Sequence, residues 1–455
     1  MENEHIWRAY DIRGNAYSEV SISFTRKLGW ALARLFQRRG LEDIAVARDA
    51  RNSSPDISDA LIQGLVEGGL EVSNIGSAPT PVLYFAVDAL GFDAGIMITA
   101  SHNPAPDNGF KFRFHNAPFQ TADLQELKEI FLSIQKPQGL IGAAYQLDIQ
   151  QMYIQAVVED MRSIVPPLKV VVDGGNGIAG PWMHAILDAL GCTCIPLYCN
   201  PDGNFPNHKP DPTNPNNMKD LIAKVHSEHA DCGIGLDGDG DRLGIVSANG
   251  ELIFGDRLLA LFAQDILKWK RGSIVHDQKC SMLLRDVVHQ NGGTTIVTAT
   301  GYPRIQKAII NNASLLGGEQ SSHICFADRW FGFDDALYAA ARILPLIPNI
   351  STMIQAFPKY AGTPELRIPV SETEKWSIIP KIKPMLSKYT LNETDGIHCS
   401  TDDGWMLLRP SNTEACLSVR IEAKTESIFQ EMLREVHHNL NEIGIHATEL
   451  NSFYK

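Results

Sequence analysis

Short apolar runs that stop at polar turns, separated by stretches with helical spacing, recur along this chain, and that alternation restricts it to α/β units whose strand ends carry the polar loops. Phe24, Leu28, Ala31, Leu32, Leu35 and Phe36 share one helical face, and residues 44–47 then form an apolar run before Arg48-Asp49. Residues 60–67 have a helical pattern, a short strand follows near Val72, and 94–99 forms another apolar run ending in a polar turn. The pattern restarts at 169–173, with a glycine turn, a helix over 181–190 and a β-like run over 192–198. It restarts again after Asn249-Gly250, with a helix over 257–267 and strands at 274–275 and 296–298. Strands over 365–370 and 418–422 with a helix over 427–440 suggest a different, smaller α+β unit at the end. A chain of 455 residues exceeds what one core usually serves. The expected architecture is therefore three α/β units, 1–145, 146–250 and 251–362, and an α+β unit over 363–455.

Composition narrows the partners. With 44% hydrophobic and 20% charged residues the chain resembles an ordinary compact protein, and no tract is biased enough to stay disordered. A net charge of -13 opposes nonspecific binding to nucleic acid or to an anionic membrane, since both need broad basic surface. The first residues, Met1-Glu2-Asn3-Glu4-His5, lack the basic start and apolar stretch of a secretion leader, and no uninterrupted apolar run is long enough to span a bilayer, so a cytoplasmic location is expected. Of the eight cysteines, Cys192, Cys194 and Cys199 cluster without C-x-x-C spacing, which fits buried free thiols. Between Pro201 and Asn217 lie five prolines, which predicts an irregular surface loop long enough to carry function.

Three motifs carry chemistry. Thr99-Ala100-Ser101-His102-Asn103-Pro104, followed by Asp107-Asn108-Gly109-Phe110-Lys111, sits just past an apolar strand. A hydroxyl there, beside His102 and near Lys111, suits taking up and returning a phosphoryl group; a turn serine bonding its own backbone is the plainer alternative. Asp237-Gly238-Asp239-Gly240-Asp241-Arg242 places three carboxylates at alternate positions, as one hard cation requires, or else forms an Asp-Gly hairpin turn. The sixth and twelfth positions, Arg242 and Ala248, exclude an EF-hand. Gly175-Asn176-Gly177-Ile178-Ala179-Gly180 satisfies G-x-G-x-x-G, but the next strand ends in Leu197-Tyr198-Cys199 without the acid that reads a ribose. A tight strand-to-helix turn is the better reading, with a nucleotide-sugar or NAD-linked oxidoreductase as the rival. Two later loops are polar: Gly317-Gly318-Glu319-Gln320-Ser321-Ser322-His323 suits sugar hydroxyls, and Arg409-Pro410-Ser411-Asn412-Thr413-Glu414 suits a phosphate.

Taken in order with Arg8-Ala9-Tyr10-Asp11-Ile12-Arg13-Gly14, these motifs resemble the α-D-phosphohexomutases over the whole chain, most closely the bacterial phosphomannomutase/phosphoglucomutase branch. The resemblance implies four domains around a central cleft, a phosphorylated Ser101, and Asp237, Asp239 and Asp241 sharing one Mg2+ per chain with it. It implies that Arg13, His102 and Lys111 serve the nucleophile, with Lys111 the first candidate to shuttle the hydroxyl proton if its pKa is depressed. Tyr10, Lys279, Tyr302, Glu319, Ser321, His323, Arg409, Ser411, Asn412 and Thr413 then line the substrate, and Arg242 completes the cleft. The implied activity interconverts hexose 1- and 6-phosphates of mannose or glucose through a bisphosphorylated sugar, with hexose 1,6-bisphosphate as activator, and needs no obligate protein partner. Tyr302 departs from the branch's usual histidine. Gln320 also occurs in phosphoglucosamine mutases, the alternative specificity, although those usually open with T-D-G-I-R-G. A noncatalytic sugar-phosphate sensor would have little use for both Ser101 and the three aspartates.

Overall fold

The computed structural model describes residues 4–139, 141–161, 164–411 and 415–454. Three sheets share one strand order. In the first, Asp107–Phe114, Ala94–Ile98, Asp43–Arg48 and Glu71–Ser77 lie side by side; in the second, Leu243–Ser247, Cys232–Leu236, Lys169–Asp173 and Thr193–Leu197; in the third, Ile324–Phe326, Leu316–Gly318, Ser273–Asp277 and Thr294–Thr298. The last three strands of each set are parallel and the first is antiparallel to its neighbour. Ile12–Asn15 and Ala144–Gln146 extend the first sheet at its two edges, and Leu252–Ile253 extends the second. Two of these additions cross the divisions expected at 145 and 250, because edge pairing follows hydrogen bonds that no composition change marks. The fourth unit is an antiparallel sheet with Cys416–Ala423 at its centre, packed under the helix Glu426–Glu442.

In each α/β unit the connection from the last parallel strand into the antiparallel strand is one of the polar motifs: 99–106, 237–242 and 319–323. Lys111 lies on the strand Asp107–Phe114, paired with Met97. The Asp-Asn-Gly start of this strand is turn-like, and cross-strand pairing overrides that local preference.

One apolar core joins the three α/β units through the helices Thr80–Leu90, Gln150–Met161, Gly180–Ala189 and Ala336–Ile343. Thr80–Leu90 has no clear amphipathic pattern because it is covered on nearly every side, which hides it from a periodicity argument, and Ala336–Ile343 is buried at every position, Arg342 included. By length and composition the stretch Ala336–Gln355 could cross a membrane, but 67% of its apolar window is buried in this core. The fourth unit has a core of its own, including Ile382, Leu417, Val419 and Leu433. It meets the third through a small patch of Met282, Trp405 and Leu407 and through polar contacts such as Met282 N to Glu422 Oε2 at 2.7 Å.

A buried polar chain also ties the first unit to the third. Arg113 pairs with Asp88 and donates to Gln306 Oε1 at 2.8 Å, and Gln306 Nε2 donates to Asp334 Oδ1 at 2.8 Å. Arg113→Met leaves Asp88 buried without its cation, so a loss of about 3–5 kcal/mol is expected in urea unfolding. A loss below about 1 kcal/mol would show that the pair is already well solvated.

Candidate active site

The three equivalent loops converge. The chain reverses at Ser101 in the left-handed region, φ 51°, where a residue with a Cβ is disfavoured by about 1–2 kcal/mol. Its amide donates to Thr99 Oγ1 at 2.9 Å, and its Oγ donates to Asp237 Oδ2 at 2.7 Å across the boundary between the first two units. The approach is close enough that a Cβ on Gly238 would lie 2.4 Å from the Ser101 carbonyl, so glycine is required there. Thr80, opening its helix, fixes the same loop from the other side: its N–H donates to the Asp239 carbonyl at 2.8 Å and its hydroxyl to Asp239 Oδ2 at 2.6 Å.

Asp237, Asp239 and Asp241 are fully buried, and one ligand oxygen of each lies within 4.8 Å of the others. Lys111 Nζ reaches Asp239 Oδ2 at 2.7 Å and also Asp241 Oδ2. Burial, then the Asp241 and Asp239 charges, push Asp237 well above the usual carboxylate range. At Asp239 and Asp241 burial acts the same way, but Lys111 overrides it and holds both below that range. Burial works against the Lys111 ammonium, yet Asp239 and Asp241 raise its pKa well above the ordinary lysine value. A proton shuttle at Lys111 requires the opposite shift to the one these two carboxylates impose. The imidazole beside the serine is His102. The Arg242 charge, followed by burial, holds its pKa well below the ordinary value, and Nδ1 accepts from Arg242 Nη2 while lying 3.2 Å from Ser101 Oγ. Arg13 Nη1 reaches the same loop, 3.3 Å from Asn103 Oδ1, with its Nε on Asp11 Oδ2 at 2.8 Å.

Asp239 Oδ1 and Asp241 Oδ1 are buried and have no hydrogen-bond partner among the described residues. Two orphaned carboxylate oxygens in a cluster whose other oxygens come from Asp237 and Ser101 Oγ fit a hard divalent cation.

The third loop is joined to the second by a backbone bridge between Arg242 and His323. His323 Nδ1 lies 2.8 Å from Asp334 Oδ2; burial disfavours its charge, but Asp241 and Asp334 raise its pKa. Glu319 is buried and accepts the Gly301 N–H at 2.6 Å, with Ser321 half-buried on the same turn. Burial, with Asp277, raises the Glu319 pKa against the pull of His323. Tyr302 is buried edge-on to Tyr10, 5.2 Å between centroids, with His323 at 5.7 Å and Lys111 Nζ 5.7 Å from its ring. Lys279 Nζ pairs with Glu365 of the fourth unit at 3.3 Å, which raises its pKa against the effect of burial. Arg409 Nε bonds Asp395 Oδ1 at 2.8 Å, and the other Asp395 oxygen accepts the Thr300 N–H at 3.3 Å, so the fourth unit's guanidinium faces the third unit's loop. Ser411 follows the same strand; Asn412 and Thr413 lie outside the described residues.

The glycine turn 175–180 serves packing. A Cβ on Gly177 would strike the Gly238 carbonyl at 2.7 Å, and Pro210 and His208 cover Gly175, where a pyrophosphate would have to rest. His208 Nε2 in turn bonds Asp173 Oδ2 at 3.0 Å.

The same order of pieces is found in known proteins. The chain matches the phosphoglucomutase/phosphomannomutase alpha/beta/alpha domains I, II and III over residues 4–138, 151–250 and 254–360, and the C-terminal domain over 365–438. The chain belongs to the phosphoglucomutase/phosphomannomutase family. It is 40% identical to a phosphomannomutase/phosphoglucomutase of Pseudomonas aeruginosa over 96% of each chain, and 36% identical to a phosphoglucomutase of Neisseria gonorrhoeae over 93% of this chain and 94% of that one. A solved phosphoglucomutase/phosphomannomutase family protein of Burkholderia thailandensis superposes with a TM-score of 0.91 at 35% identity, over 98% of this chain and 99% of that one.

Within this family member, motif reading missed Thr80, Asp334 and Asp395, which act on the site from other elements and carry no local pattern. The left-handed Ser101 yields a direct test. Ser101→Gly should melt later than Ser101→Ala, by about 1 kcal/mol of relieved backbone strain, with both lacking the Ser101 hydroxyl. Equal melting points would mean that the loop relaxes freely.

Proposed function

We propose that this chain interconverts hexose 1-phosphate and hexose 6-phosphate, of mannose or glucose, by way of a phosphorylated Ser101. The observation that carries the reading is Ser101 Oγ, 2.7 Å from Asp237 at the meeting point of three carboxylates with Lys111, Arg242 and His102. In the forward step the sugar hydroxyl oxygen forms a new bond to phosphorus as the Ser101 Oγ–P bond breaks, and the hydroxyl proton leaves to a neighbouring basic side chain. The bisphosphorylated sugar then turns over and returns its other phosphoryl group to Ser101, so the same residues must receive either end. Lys111, Arg13 and Arg242 offset negative charge near the serine, Glu319, Ser321 and His323 read the hydroxyls, and Lys279, Arg409 and Ser411 hold the distant phosphate. Asn412 and Thr413 complete that set by their place in the motif.

Asp237, Asp239, Asp241 and Ser101 would hold one Mg2+. When bound, it supplies Lewis-acid stabilisation of charge on the phosphoryl oxygens. A hexose 1,6-bisphosphate would act as activator by loading Ser101 with phosphate. The acidic chain with a phosphorylated hexose as its partner fits a cytoplasmic enzyme of sugar metabolism.

Isomerisation of glucose 1-phosphate, mannose 1-phosphate and glucosamine 1-phosphate, each with magnesium and a trace of the 1,6-bisphosphate, tests the reading. Glucose and mannose phosphates should turn over, and Ser101→Ala should lose more than about a thousandfold in kcat. Preferred turnover of glucosamine 1-phosphate would move the chain to the alternative specificity, and a fully active Ser101→Ala would end the phosphoserine mechanism. Lys111→Met should cost on the order of 10²–10³ in kcat, as removal of one preorganised cation does. A loss under tenfold there would place Lys111 outside the reacting charges.

A further inference from the structure

Arg51 lies outside every motif that carries chemistry, yet its side chain is fully buried beneath the serine loop. Its guanidinium donates to four backbone carbonyls of that loop: Nη2 to Ser101 O and Asn103 O, both at 2.7 Å, and Nη1 to Pro104 O at 2.7 Å and Asp107 O at 2.9 Å. The fork therefore grips both ends of the turn, including the carbonyl of the residue held at φ 51°. Asp49 orients the fork from behind, with Oδ2 3.2 Å from Arg51 Nε, while Asp49 Oδ1 accepts the Arg51 N–H at 3.0 Å and the Ser54 hydroxyl at 2.6 Å. The Phe205 ring of the proline-rich loop covers the guanidinium, 5.1 Å from centroid to Cζ, so a segment of the second unit closes over it.

Burying an arginine costs several kcal/mol unless its donors are satisfied, and here the four Nη donors are spent on main chain, which carries no side-chain chemistry of its own, while Nε is held only by the Asp49 charge. A planar fork with paired donors is the group able to hold four carbonyls in one plane; a lysine ammonium has three donors and no plane. Phosphoryl transfer depends on the position of the attacking and leaving oxygen to well under 1 Å. We infer that Arg51 is the positioning residue of the phosphoryl-carrying serine, holding the strained loop so that Ser101 Oγ stays at Asp237, with Asp49 and Phe205 keeping the guanidinium in place. This inference rests on the reading of Ser101 as the nucleophile. Arg51 touches no reacting atom; its effect passes through the backbone.

The test compares wild type, Asp49→Asn, Arg51→Lys, Arg51→Met and Ser101→Ala by kcat and KM for glucose 1-phosphate, with circular dichroism to check folding. Arg51→Met should lose about a hundredfold in kcat with KM changed less than about twofold, because the serine is displaced while the sugar contacts stay. Arg51→Lys should regain only a minor part of that loss. Asp49→Asn is nearly isosteric and keeps the Oδ1 acceptor, but turns an N–H donor toward Arg51 Nε. It should lose about tenfold in kcat at unchanged KM, and it decides the matter if neither Arg51 variant folds. Folded Asp49→Asn or Arg51→Met protein with kcat within about threefold of wild type overturns the inference, as does a change confined to KM. Ser101→Ala separates the two readings: if it stays active the nucleophile assignment fails, and if it is dead while the Arg51 and Asp49 variants work normally, only the role of Arg51 fails.

Discussion

Three carboxylates buried within 4.8 Å of one another repel, and the molecule is arranged around that repulsion. Two unit charges about 4 Å apart oppose each other by about 4 kcal/mol at an effective dielectric near 20, and each also loses its hydration. The positive charge that faces them is drawn from all three α/β units. Lys111 comes from the first unit, Arg242 from the second and His323 from the third, and each bonds or faces a different edge of the aspartate loop. The charged centre lies where the three units meet, and a divalent cation fits the oxygens that these side chains leave unbonded.

Repeating one strand order three times places three equivalent loops at one point. Each loop joins the last parallel strand to an antiparallel partner, so its polar residues project from the same end of each sheet. A continuous apolar core fastens the three units together, whereas the fourth has a separate core and attaches through a small patch and a few hydrogen bonds. Interfaces of that polar kind permit relative motion. The unit with the separate core carries Arg409 and Ser411, two of the residues proposed to hold the distant phosphate.

The chemistry-bearing loops were legible in the sequence because each packs several functional groups into a few residues: Ser101 with His102, the alternating aspartates, Glu319 with His323. The α/β class followed from the apolar runs. What stayed hidden has a common cause. Arg51 bonds carbonyls, Asp395 and Asp334 orient other side chains, and Thr80 meets Asp239 from 159 positions away, so none leaves a local trace. Helix Thr80–Leu90 shows no polar face because it has none to show, and strand Asp107–Phe114 begins with turn-like residues whose register is set by Ala94–Ile98. The direction of the Lys111 pKa shift was hidden for a related reason: burial alone would lower it, but two aspartates from another unit reverse the sign.

The account stands or falls on covalent phosphate at one serine. Incubating dephosphorylated protein with stoichiometric hexose 1,6-bisphosphate and magnesium, then mapping peptides by mass spectrometry, measures it directly. The account predicts one phosphoryl group per chain, on the peptide containing Ser101, with release of an equal amount of hexose monophosphate. Phosphate on another residue, or turnover with no phosphorylated peptide formed, would contradict it.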